Sequence, residues 1–362
     1  MTSSLRYNPA LDGLRAIAAL LVIASHCEVP GLAGGFYGVD LFFVLSGFLI
    51  TWLLFDEHSA TGRIDLPQFF LRRYLRLTPP LLAMLAAYLV IAPIAWPEFG
   101  LWSHIRDVLL TGFYLSDYAR AFWGTPLVLQ HTWSLGVEEH FYLLWPLAIL
   151  ALLRLPARWR LAALFCLYIA ATAWRMACYQ EEATWPATYY RFDTRMSGLI
   201  LGALLATVLG RVECVPPRIA NLAGAVGCPA LVLAVLFGHW HGPGALEWTM
   251  TLAEFAAAGL LIAASAPESW VSRMLSAPPL VAIGILSYGL YLWHYPAAVF
   301  FREHLPWYET VPIVLAIAFT AATLSHLMIE RPLQSFRRSL KPQPSNEVAD
   351  SDEADVCLRP SP

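Results

Sequence analysis

The run Leu11-Asp-Gly-Leu-Arg15-Ala-Ile-Ala-Ala-Leu-Leu-Val-Ile-Ala-Ser-His26 is apolar along most of its length, yet it carries Asp12, Arg15 and His26. An apolar run this early invites comparison with a signal peptide. Charges inside the run, and no convincing small-residue cleavage site, argue instead for a span that stays in the membrane. A helix needs about 20 such residues to cross the hydrocarbon core. The same texture recurs along the whole chain. Hydrophobic residues make up 58% and charged residues 14% of the 362 positions, and the mean hydropathy is +0.56. A soluble domain carries about 25% charged residues, so this chain has too few charges to cover a soluble surface.

The reading that follows is an all-α, polytopic membrane bundle of about ten spans. They are expected near 9–28, 36–55, 77–96, 137–153, 160–180, 192–210, 219–238, 247–266, 280–301 and 310–330. A further apolar stretch, 101–115, is short and holds His104, Arg106 and Asp107, so it reads as interfacial or re-entrant. Arginine placement supports this count. With the N-terminus inside, the cytoplasmic segments hold Arg6, Arg63, Arg72, Arg73, Arg76, Arg154, Arg158, Arg160, Arg211, Arg218, Arg273, Arg331, Arg337, Arg338 and Lys341. The outer segments hold only Arg106, Arg120, Arg191 and Arg302. That is the positive-inside pattern, and an even count returns the C-terminus to the cytoplasm. Residues 1–335 form the membrane domain; 336–362, polar and acidic, read as a disordered cytoplasmic tail. A net charge of -3 gives no electrostatic reason to expect nucleic acid. The six cysteines show no metal-ligand spacing, so no metal is expected.

Ionisable groups inside spans are costly and point to function. Arg15 and His26 lie 11 residues apart; at about 100° per residue they return to within about 20° of one another, separated by about 16 Å along the axis. Asp12 falls on the same side. The first span therefore carries a polar stripe, with Arg15 low and His26 high. The plainer alternative is an Arg15–Asp12 pair plus an interfacial histidine. Asp40, in Gly38-Val-Asp40-Leu-Phe-Phe-Val-Leu-Ser46-Gly47, is expected at the depth of His26. There it either fixes the imidazole, as a carboxylate does in hydrolytic triads, or caps its own helix. Glu138 and Glu139 stand at the outer start of the fourth span, about 100° apart, so they cannot share one role. Arg72, Arg73 and Arg76 precede the third span as a basic patch. Membrane anchoring explains them, and so does a grip on phosphate. Arg195 and His294 are intramembrane groups that either tether helices or face a cavity.

Taken together, these motifs resemble the bacterial acyltransferase family 3, whose members O-acylate polysaccharides, peptidoglycan, lipid-linked sugars or secondary metabolites. The resemblance runs over about 7–335. It rests on Leu11-Asp-Gly-Leu-Arg15 and the Arg15-to-His26 spacing, Gly38-Val-Asp40, Arg73-x-x-Arg76, Trp133-Ser134-Leu-x-x-Glu138 with Phe141-Tyr142, Thr194-Arg195, Ser287-Tyr288-x-x-Tyr291-x-Trp-His294-x-Pro296 and Glu330-x-Pro332. It implies a bacterial cytoplasmic-membrane O-acyltransferase, with His26 as the essential histidine and Arg15, Arg73 and Arg76 as functional arginines.

The expected chemistry starts from an acyl-coenzyme A, acetyl above all, bound from the cytoplasm by Arg72, Arg73, Arg76 and Arg15. His26 then acts as general base or as acyl carrier toward a hydroxyl of an extracytoplasmic carbohydrate. Asp40, Glu138 or Glu139 orients its ring. His131, Trp133, Ser134, Arg195 and His294 are the expected acceptor-binding set. Some family members carry a fused esterase-like domain; the short tail here leads us to expect such a partner enzyme, if any, in trans. The competing class is a transporter of a lipid-linked sugar or small metabolite, which the lack of an internal repeat disfavours.

Overall fold

The computed structural model describes residues 7–180, 184–212, 214–242 and 244–339. Among these residues every regular element is helical. Sixteen α-helices follow one another: α1 Pro9–His26, α2 Gly38–Thr61, α3 Leu66–Ala95, α4 Gly100–Gly112, α5 Ser116–Trp123, α6 Trp133–Leu153, α7 Ala157–Cys178, α8 Trp185–Tyr189, α9 Phe192–Leu209, α10 Pro217–Phe237, α11 Met250–Ala264, α12 Trp270–Leu275, α13 Pro278–Ile285, α14 Ser287–Arg302, α15 Trp307–Ser325 and α16 Arg331–Ser339. Nine helical segments among the described residues are long and apolar enough to cross a membrane. They match nine of the ten expected spans.

The tenth, expected at 280–301, is built from two pieces that break at Leu286. α13 has 8 residues and α14 has 16. Each is shorter than the hydrocarbon core requires, and only the pair in series is long enough. The stretch at 101–115 forms α4, a helix of 13 residues that is also too short to span. The last turn of α16 falls inside the expected tail; residues 340–362 lie outside the described residues.

Local chemistry sets the helix starts that matter for the site. Asn8 caps α1 by accepting from the Ala10 N–H at 3.0 Å, with Pro9 in the first turn. Asp65 caps α3 by accepting from the Gln68 N–H at 3.1 Å. This start lies well before the third span's apolar onset. Arg72, Arg73 and Arg76, expected as a basic patch before the third span, are therefore carried inside the same continuous helix as that span. Likewise α6 begins at Trp133, so Glu138 and Glu139 lie a turn or more inside it rather than at its first residues.

The bundle centres on α2, which packs along α9. Their backbones meet at two glycines. A Cβ on Gly47 would stand 1.9 Å from the Leu199 carbonyl oxygen, and one on Gly202 would stand 2.0 Å from that of Val44. Close approach of this kind is how helices associate where no hydrophobic force separates them from lipid. Buried polar groups add fixed links. Arg175 of α7, fully buried, donates to Ser197 of α9 at 2.7 Å and to Glu254 of α11 at 2.7 Å. Gly47→Val is expected to destabilise the bundle by about 1–3 kcal/mol or more, since neither backbone can retreat from the added atoms. Thermal unfolding in detergent would register this as a lowered midpoint. An unchanged midpoint would mean that the α2–α9 contact is looser than drawn.

Candidate functional site

A cavity within the bundle is bordered by Arg15 of α1. It holds about 740 Å³ of empty space, counting its open mouth. Four other helices complete its wall: α2 through Ser46, α3 through Arg73 and Arg76, α6 through Ser134, Glu138 and Tyr142, and α14 through Ser287, Tyr288 and Tyr291. Arg15 lines it from α1 and donates to Asp12 at 3.0 Å. The Arg73 guanidinium lies over the Tyr142 ring, 4.4 Å from its centroid, and the Tyr142 hydroxyl is hydrogen-bonded to Ser46. Three guanidinium groups thus face one space with a single lining carboxylate, Glu138. Such a site suits a polyanion, because guanidinium forks match phosphate oxygens and stay charged at any working pH.

Two of the lining side chains, Tyr291 and Ser134, connect the cavity to residues outside its lining. The Tyr291 hydroxyl donates to the His131 carbonyl oxygen at 2.7 Å and lies 2.6 Å from Ser134 Oγ. Immediately behind Tyr291 sits a cluster of histidines. Its ring centroid is 5.6 Å from that of His294 and 5.5 Å from that of His131. His26, at the last residue of α1, meets His294 through Nδ1 and Nε2 at 2.8 Å, with the two rings stacked. Tyr295 packs its edge on His26 at 4.6 Å and stacks on His131 at 4.8 Å. Arg302, at the end of α14, donates to the His26 carbonyl at 3.1 Å. That bond satisfies one of the carbonyls left open where α1 ends. His131 and His294 are buried, whereas His26 remains partly exposed.

Several side chains picked out from sequence occupy other places. Arg72 donates to Glu57 at 3.1 Å and to Gln68 at 2.7 Å, away from the cavity lining. Asp40 accepts from Arg195 at 3.0 Å, and both side chains are buried. His294, not Asp40, is therefore the ring partner of His26. The Arg195 guanidinium is boxed by the rings of Tyr189, Trp133 and Phe43, with centroids at 4.7, 5.2 and 5.6 Å. Arg195 and Trp133 thus form a packed ionic clamp between α2, α6 and α9, and neither lines the cavity. Glu138 lines it and Glu139 does not, as their angular separation along one helix requires. Ser134 reaches both the cavity and Tyr291.

Sequence reasoning did not single out Ser46, Tyr142, Tyr288, Tyr291 or Tyr295 as site residues. A signal was present on α14. Tyr288, Tyr291, His294 and Tyr295 recur at three- and four-residue steps, which place them on one helical face.

A family model described as an acyltransferase domain matches residues 8–329. Peptidoglycan O-acetyltransferase OatA of Listeria monocytogenes is 32% identical over 352 residues, covering 91% of this chain and 56% of that protein. O-acetyltransferase OatA of Staphylococcus aureus is 35% identical over 354 residues, covering 91% and 57%. Putative peptidoglycan O-acetyltransferase YrhL of Bacillus subtilis is 34% identical over 362 residues, covering 92% and 56%. The chain therefore spans a little over half the length of these relatives. No solved structure matches it significantly.

Proposed function

The chain belongs to the bacterial acyltransferase family 3, and on that footing we propose that it is a membrane-embedded O-acetyltransferase. It moves an acetyl group from cytoplasmic acetyl-coenzyme A to a hydroxyl of an extracytoplasmic carbohydrate. The relatives named for O-acetylation of peptidoglycan support a glycan acceptor. The observation that carries the reading is the arginine-lined cavity whose lining includes Tyr291, the ring next to His294 of the His26–His294 pair.

In this reading Arg15, Arg73 and Arg76 hold the phosphates of the donor, and the pantetheine arm carries the thioester toward His26. His26 takes the proton from the acceptor hydroxyl while the new C–O bond forms. The C–S bond breaks, and His26 hands that proton to the departing thiolate. Alternatively His26 first takes the acetyl group itself and passes it on. Both routes need an unprotonated imidazole nitrogen, and labelled donor in a single turnover would distinguish them.

The decisive assay uses purified protein in proteoliposomes with acetyl-coenzyme A and a glycan acceptor. Free coenzyme A is expected to appear in step with acetylated glycan. Movement of the glycan across the bilayer without coenzyme A release would instead identify a transporter.

A further inference from the structure

We propose that His294 is a positioning residue that fixes the tautomer of His26, so that His26 Nε2 is the nitrogen that carries out the transfer. The inference rests on the role given to His26 above and deepens it. It follows from counting protons along a chain of three groups. His294 Nδ1 lies 3.0 Å from the Leu290 carbonyl oxygen, one turn earlier in α14. A carbonyl oxygen can only accept, so Nδ1 of His294 carries a proton. A neutral His294 then offers only a lone pair at Nε2. That lone pair faces His26 Nδ1 at 2.8 Å, so His26 Nδ1 must hold the hydrogen of this bond. The remaining nitrogen of His26, Nε2, is left with its lone pair free for chemistry.

The surroundings hold this chain in place. His294 is fully buried, and its helix is tied to the histidine cluster by the Tyr291 hydroxyl on the His131 carbonyl. His131 Nε2 lies 3.2 Å from the Leu292 carbonyl oxygen, which uses up its one proton on backbone. Its Nδ1 has no hydrogen-bond partner among the described residues. A neutral His131 thus has no proton left to offer His294, and it leaves the order of donors undisturbed. The arrangement is that of a carboxylate–histidine pair with imidazole in the carboxylate's place.

It also has somewhere to put charge. When His26 Nε2 takes the hydroxyl proton, its Nδ1 proton can shift to His294 Nε2. His294 then holds two N–H bonds, one against Leu290 and one against His26. As the C–S bond breaks, Nε2 of His26 gives its proton to the thiolate, and the Nδ1 proton returns. No proton is gained or lost.

The test reads the tautomer directly and does not need turnover. Protein labelled with ¹⁵N and ¹³C in histidine, in nanodiscs, gives ring-nitrogen signals, with His26 assigned by its loss in His26→Ala. The wild type is expected in the Nδ1–H form. His294→Leu removes the acceptor, and His26 is then expected to revert toward the Nε2–H form that free histidine favours. His294→Gln keeps an acceptor near the Nε2 position and is expected to keep the Nδ1–H form. In kinetics, His294→Leu should lower kcat by about 100-fold or more, with KM for acetyl-coenzyme A essentially unchanged. His294→Gln should recover most of that loss. Wild-type His26 found as Nε2–H would overturn the proposal. So would a His294→Gln variant that folds, by its thermal midpoint, yet is as slow as the leucine variant. If no acetyl transfer occurs at all, the spectrum still decides the tautomer, so the two readings fail separately.

Discussion

Replacing His26 by alanine is expected to lower acetyl transfer by about 10³-fold or more, while the protein still folds and still binds coenzyme A. General base or nucleophilic catalysis by a positioned side chain contributes about 10²–10⁴-fold. The structure gives no obvious substitute. His294 and His131 keep lone pairs at Nε2 and Nδ1, but both rings are buried, whereas His26 is partly exposed. Folding should survive, because His26 ends its helix, is partly exposed, and meets Arg302 through its backbone carbonyl, which alanine retains. Donor affinity should survive because His26 is not in the cavity lining. Steady-state rates and coenzyme A binding, measured on the same preparation, check all three points. Full transfer by the alanine variant would remove His26 from the chemistry.

The second large effect is expected at Arg73. Its guanidinium faces the cavity from inside α3. Hydrogen bonds to charged groups are worth about 1.5–3 kcal/mol each, and each 1.4 kcal/mol is about tenfold in affinity. Arg73→Ala should therefore raise KM for acetyl-coenzyme A by about 10- to 100-fold. Arg73→Lys should restore only part of this, since an ammonium is a point charge without the planar fork. Part of the alanine effect is lost packing on Tyr142, and Tyr142→Leu measures that share. Arg72 supplies the contrast. It is held by Glu57 and Gln68 outside the lining, so Arg72→Ala should leave KM for the donor unchanged. Equal effects of the two substitutions would mean that general basicity, not the cavity, sets donor binding.

The membrane bundle was legible because spanning is a matter of length and composition, both local properties. The break in the passage at 280–301 was hidden for the same reason. Residues 280–301 hold no Asp, Glu, Lys or Arg, and hydropathy does not register a turn at Leu286. The arginines of α3 were legible as a patch but set before the third span, because a hydropathy window opens only where charges end, whereas Asp65 starts the helix by capping it. Helical arithmetic puts Arg15 and His26 on one side of α1; of the two, Arg15 lines the cavity and His26 meets His294. The partners of His26 were not legible. Depth made Asp40 and Glu138 equally good companions for His26. Which side chain actually meets it depends on α14, whose His294 is 268 residues away. Asp40 itself is claimed by Arg195, 155 residues distant. Pairings of this kind are set by how helices pack around one another, and a single sequence carries no trace of them.

The central claim is that donor and acceptor are handled at opposite faces of one bundle. Membrane vesicles of known sidedness test it most directly. Labelled acetyl-coenzyme A is supplied only to the cytoplasmic face, and the glycan acceptor only to the other. The account predicts label on the acceptor, dependent on both Arg73 and His26, and no label when the donor is supplied to the acceptor's face alone. Transfer that requires both substrates on the same side of the membrane would contradict it.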